Sequence, residues 1–188
     1  KPRVAAKSVL LIDLGQHYKD QEQKNIFSAF SGEETDVPSL YDVVRLIKHA
    51  KDDENIKGIF IQAQSSPNGY AASEEIRNAL RDFKSSKKFI LAHGDYMTQN
   101  AYAVANIADR VYINPQGMLE WVGYSVDLAF VKGTLDKLDI KPQIFYAGKF
   151  KSATEIFRTT EMTPENREQT ADWLGDIYSY FLQQTAAA

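Results

Sequence analysis

Cysteine is absent from the 188 residues, so a disulfide scaffold, a thiolate zinc site and a cysteine nucleophile are excluded together. Histidine is scarce: His17, His49 and His93 are too few to suggest a multi-histidine metal centre. No excess of basic charge exists either. Lysine and arginine number 22 against 25 acidic residues, a formal net charge of −3, and no basic field points to nucleic acid. No apolar run approaches the roughly 20 residues that cross a bilayer. No glycine-rich phosphate loop follows an apolar run, since Ser65-Ser-Pro-Asn-Gly69 has one glycine and no lysine. A Gly-x-Ser-x-Gly elbow is also missing, which removes an α/β-hydrolase serine. What is present is ordinary for a globular domain: 44% hydrophobic and 25% charged residues. The chain begins at Lys1 without a Met, as expected of a chain parted from a leader or anchor.

Apolar runs and amphipathic stretches alternate along the chain. Ser8 to Leu14 is nearly continuous in branched apolar residues and reads as a buried strand. Residues 15–38 are polar and mixed, and read as a long surface excursion. Ser39 opens a helix with Leu40, Val43, Val44 and Ile47 on one side. Lys57 to Ala63, Lys88 to Ala92, Arg110 to Asn114 and Lys141 to Ala147 read as four further strands. Between them lie helical patterns opened by Glu74 and Glu75, then from about Thr98 to Ile107, then from Asp127 to Asp139. Thr163-Pro164 reads as an N-cap with proline at the first helical position, ahead of a helix carrying Trp173, Ile177 and Phe181. This alternation predicts an α/β fold: a mostly parallel sheet with helices packed around it. No repeat, low-complexity linker or sharp domain boundary interrupts it.

Two places draw chemical interest. His93 ends a strand, where sites gather in open α/β sheets, although a packed or solvated histidine is the ordinary reading. The denser one is Tyr146-Ala-Gly-Lys-Phe-Lys-Ser-Ala-Thr-Glu155. There a strand pattern ends, glycine frees the backbone, and Lys149 and Lys151 precede a helix start. A helix N-terminus disfavours an ammonium, and burial disfavours it further. A neutral amine can then take a proton from a serine hydroxyl. Read from the residues alone, a pair of solvated surface lysines is the ordinary reading. Ser152 is the expected cap of the following helix.

Asn55-Ile-Lys-Gly58, Ile107-Ala-Asp-Arg-Val-Tyr-Ile-Asn-Pro-Gln-Gly117, Leu135-Asp-Lys-Leu138, Gly148-Lys-Phe-Lys-Ser-Ala153 and Met162-Thr-Pro-Glu-Asn-Arg-Glu168 together carry a resemblance. From Ala50 to its C-terminal helix the chain resembles the amino-terminal half of the long, two-domain form of the signal peptide peptidase A (protease IV) family, peptidase family S49. The resemblance implies a Clp protease/crotonase-type fold and a Ser–Lys dyad without metal or organic cofactor. Residues 1–188 would then be the lysine-bearing domain, with Lys151 as general base. The nucleophilic serine and its oxyanion donors would belong to a carboxy-terminal catalytic domain. Gln99 stands where a serine-bearing domain has its nucleophile, and an amide does not attack a carbonyl. The implied setting is a bacterial inner membrane, with this domain anchored on the periplasmic side. The implied partners are cleaved signal peptides, other apolar peptide segments, the carboxy-terminal domain and further copies in a homo-oligomer, a tetramer in the long form. Two other classes compete: a non-catalytic scaffold or interaction domain of the same fold, and an acyl-CoA-handling crotonase relative.

Overall fold

The computed structural model describes residues 4–20 and 37–188. The chain forms two compact units, residues 1–122 with 185–188 and residues 123–184. Composition alone does not mark this division, because no linker-like stretch lies at Val122-Gly123.

The first unit is built on a four-stranded parallel sheet in the order β1-β2-β3-β4. β1 is Ser8–Asp13, β2 Ile56–Gln62, β3 Phe89–Gly94 and β4 Arg110–Ile113. Between them come α1 (Leu40–Asp52), α2 (Tyr70–Phe83) and α3 (Gln99–Ala105). The four predicted strands 8–14, 57–63, 88–92 and 110–114 thus form within a residue or two of their expected bounds. The surface excursion predicted for residues 15–38 lies largely outside the described residues.

Each helix start has a local cause. The Ser39 hydroxyl accepts from the Asp42 N–H at 3.2 Å, and Asp42 adds negative charge to the first turn of α1. α2 begins earlier than its acidic pair suggests. Gly69 is its N-cap, and Glu74 and Glu75 fall in the second turn. Thr98 caps α3 by accepting from the Ala101 N–H at 3.3 Å.

The sheet register explains the core. Ile12, Ile61 and Ala92 align across β1, β2 and β3, as do Ile59 and Ile90. Their side chains are buried in one cluster with Val43 and Ile47 of α1 and with Ile76, Leu80 and Phe83 of α2. The opposite face is less covered. Val9 is 44% exposed, Leu11 56%, and Tyr112 47%. Phe89 lies against Gly58, where a Cβ would fall 2.4 Å from its ring.

At the carboxyl ends of β1 and β2 the chain is tied by a buried asparagine. Asn68 Oδ1 accepts from the Tyr18 N–H at 2.9 Å. Its Nδ2 donates to the Gln16 and Leu14 carbonyls at 2.9 and 3.3 Å and to Ser66 Oγ at 3.3 Å. The Tyr18 hydroxyl donates to the Asp13 carbonyl at 2.6 Å. Burial, reinforced by the Asp13 charge, pushes that hydroxyl up to about 12, so it stays protonated. Asn68→Ala strands several of these groups, each costing about 1–3 kcal/mol. The chain is therefore expected to lose about 3 kcal/mol in urea unfolding, and a loss below about 0.5 kcal/mol would contradict this account.

The second unit contains three helices: α4 (Lys132–Lys137), α5 (Glu155–Arg158) and α6 (Pro164–Ala186, whose last residues belong to the first unit). Two expectations are corrected here. The helix predicted over 127–139 is confined to Lys132–Lys137, with no side-chain cap at Val131 and with Gly133 inside it. The strand predicted over 141–147 forms no ladder. Pro142 has no N–H to offer, and a strand needs a neighbour about 4.8 Å away to hold its register. Thr163 does cap α6, its hydroxyl accepting from the Asn166 N–H at 3.3 Å, with Pro164 at the first helical position. Among the described residues no helix is long and apolar enough to cross a membrane.

Candidate active-site residues

In the first unit, β3 leads through a tight loop into α3. Thr98 N–H donates to the Gln64 carbonyl at 2.9 Å, and Met97 exchanges main-chain bonds of 2.9 Å with Met118 and Glu120. Two glycines permit these approaches. A Cβ on Gly94 would meet the Ala63 and Tyr96 carbonyl oxygens at 2.9 Å, and one on Gly117 would meet the Asp95 oxygen at 1.7 Å. Gln99 is the first residue of α3 and is 4% exposed. Its Oε1 accepts from the Val122 N–H at 3.0 Å, so the amide has a structural occupation. The neighbouring Thr98 hydroxyl is spent on the helix cap. His93 is half-buried at the end of β3, in register with Gln62 and Tyr112.

In the second unit, Gly148 turns the chain at φ +90°, a conformation that costs a side-chain-bearing residue. Lys149 and Lys151 follow, both exposed. The Lys151 stem folds back so that its Cγ lies 3.8 Å from where a Cβ on Gly148 would be. Lys149 takes a different course and lines an open cleft of about 370 Å³ with Tyr146, Arg158 and Glu165. The Arg158 guanidinium sits 3.7 Å from the Tyr146 ring centroid, a cation–π contact.

Ser152 is not the helix cap. α5 starts at Glu155 after Thr154, and Ser152 contributes its carbonyl, which accepts from the Glu155 N–H at 2.8 Å. Glu155 itself is 2% exposed. Its carboxylate accepts from Thr163 Oγ1, from Asn166 Nδ2 and, at 3.4 Å, from the Thr163 N–H. Burial works to raise this carboxyl. The hydrogen bonds from Thr163 and Asn166 outweigh it, with Arg158 adding to them, and hold it below its ordinary value. Sequence reasoning did not mark Glu155 as an inward-folding carboxylate. The threonine cap eight residues on and the asparagine beyond it were the available signals.

Tyr146, Phe150 and Phe157 flank the lysine segment. They are 56%, 51% and 40% exposed, so they are not core within this chain. Of the predicted α6 stripe, Phe181 is buried beside Tyr124 and Tyr178, while Trp173 is 44% exposed.

Comparison with known proteins bears on the same segments. Residues 81–188 match the family model described as peptidase family S49. Protease 4 of Salmonella typhi is 31% identical over 192 residues, covering 97% of this chain and 31% of the relative. Protease 4 of Haemophilus influenzae is 30% identical over 188 residues, covering 95% of this chain and 30% of the relative. The chloroplastic serine protease SPPA of Arabidopsis thaliana is 28% identical over 186 residues, covering 99% of this chain and 26% of the relative. The chain therefore spans less than a third of the length of these relatives.

Proposed function

The chain belongs to peptidase family S49, and from that premise we propose that residues 1–188 are the amino-terminal, lysine-bearing domain of a two-domain bacterial serine peptidase, with Lys151 as the general base of a Ser–Lys dyad. The observation that carries this reading is the setting of Lys151. It lies exposed on a short segment held by the Gly148 turn on one side and by the Ser152–Glu155 bond on the other. Such a lysine is presented outward from a fixed backbone, as a base serving a nucleophile on another domain must be.

The serine comes from the carboxy-terminal domain. The Lys151 amine takes the serine hydroxyl proton as the oxygen attacks a peptide carbonyl. It returns that proton to the leaving amine, leaving an acyl-serine ester. The same amine then deprotonates the water that hydrolyses the ester. Gln99 and Thr98 support placing the nucleophile elsewhere, since the amide is bonded to Val122 and the hydroxyl caps α3. The half-open sheet face bearing Val9, Leu11 and Tyr112 supports further contact partners, because parallel sheets are normally covered on both sides. Those partners are the carboxy-terminal domain and further copies in a homo-oligomer. The substrates are cleaved signal peptides and similar apolar segments. The enzyme is anchored in the inner membrane with this domain on the periplasmic side.

The lone chain is therefore expected to show no turnover of a fluorogenic signal-peptide substrate. Turnover that survives repurification and disappears with Thr98→Ala would overturn the reading.

A further inference from the structure

We propose that Glu155 is a positioning residue for the reaction, fixing the backbone that presents Lys151 by tying Ser152 to the head of α6; this rests on Lys151 being the general base. Only two charged side chains are buried among the described residues, Arg77 at 4% and Glu155 at 2% exposure. Burying a carboxylate is expensive, and an apolar residue of similar size often serves stability as well or better. A carboxylate offers what an apolar side chain lacks, which is direction. Glu155 accepts from the Thr163 hydroxyl and the Asn166 amide, both in the cap and first turn of α6. Its main-chain N–H donates to the Ser152 carbonyl at 2.8 Å, and its carbonyl accepts from the Thr159 N–H at 2.9 Å. One residue thus grips the chain immediately after Lys151, the turn of α5 and the start of α6.

The other end of the lysine segment is set by Gly148 at φ +90°. Between these two points lie only Lys149, Phe150 and Lys151. Loosening the Glu155 end leaves the lysine stem able to reach many places, so substrate still binds. What falls is the share of time the amine spends at the serine oxygen. That is a loss in kcat with KM preserved, and misplacement by about 1 Å costs up to about 100-fold.

The test uses the intact two-domain enzyme with a signal-peptide substrate, with rates referred to folded enzyme counted from melting curves. In Glu155→Gln one carboxylate oxygen is replaced by an NH2 group that only donates, so the separate oxygens that accept from the Thr163 hydroxyl and the Asn166 amide are no longer both present. kcat should fall about 10- to 100-fold with KM within twofold. Adding Asn166→Asp restores the pair with its polarity reversed, and the new carboxylate still accepts from Thr170, which now donates to Asn166 at 3.3 Å. The double variant should recover kcat to within about threefold of wild type. A folded Glu155→Gln enzyme with kcat within twofold of wild type, or a double variant no better than the single one, would overturn the inference. Should Glu155→Gln not fold, Asn166→Ala removes one donor and is read the same way: a fivefold or larger loss in kcat alone supports the inference, and an unchanged kcat overturns it. Lys151→Ala in the same assay separates the two ideas. Full activity there removes the dyad reading, whereas lost activity there beside an unaffected Glu155→Gln removes the Glu155 inference alone.

Discussion

In the intact peptidase, Lys151→Ala should lower kcat by about 10³-fold or more, while Lys149→Ala should leave most of the activity. General-base catalysis contributes about 10²–10⁴-fold, and a serine without its base is a poor nucleophile. The two lysines are only two residues apart, yet they are not equivalent. The Lys151 stem lies back along Gly148, and Lys149 lines the Tyr146–Arg158 cleft. On the proposed reading, at most one of them meets the serine of the second domain. Lys151 is exposed in this chain, so on the proposed reading the desolvation that favours a neutral amine would come from the serine-bearing domain closing over it. Steady-state kinetics of both variants decides the matter. Equal losses, or a larger loss for Lys149→Ala, would assign the base to the wrong lysine.

Gly117→Ala should be the most damaging single methyl added to the first unit. The new Cβ would fall 1.7 Å from the Asp95 carbonyl oxygen and 3.1 Å from that of Asn114. Overpacking usually costs about 1–3 kcal/mol when side chains can move aside. Here the obstacle is backbone, in the loop that seats Met97 between Met118 and Glu120. A loss of at least about 3 kcal/mol follows, which for a chain of this size lowers the melting temperature by about 6–12 °C. By contrast, Gly69→Ala meets nothing within 4 Å and should leave melting almost unchanged. A Gly117→Ala variant melting within about 2 °C of wild type would show that the loop is not seated this way.

Much of the first unit was legible because its signals are local. β1 to β4 are short branched runs, and Ser39 and Thr98 sit directly ahead of helical periodicity. The second unit was less legible because its elements lack such support. The stretch 141–147 has the composition of a strand, but composition cannot supply the neighbour that makes a strand. The site shows the same contrast. Lys151 was singled out by the motif around it, and its catalytic role belongs to the proposed function. The Asn68 knot and the Glu155–Thr163–Asn166 cluster were not, because nothing in the spacing of single polar residues reveals which of them fold inward.

The all-parallel sheet has a consequence for the order in which the first unit assembles. Leu91 pairs with Arg110 and Ile59 with Ile90, while Val9 waits for Gly58. The chain closed by each pairing therefore lengthens from 19 residues to 31 and then to 49. Closure entropy grows only logarithmically, so the longest loop costs about 0.8 kcal/mol more than the shortest. That is enough to favour β2, β3 and β4 meeting first. The strand made earliest by the ribosome is then the last to be enrolled. Until that happens the edge of β2 is open, and Asn68 has no Tyr18 to hold.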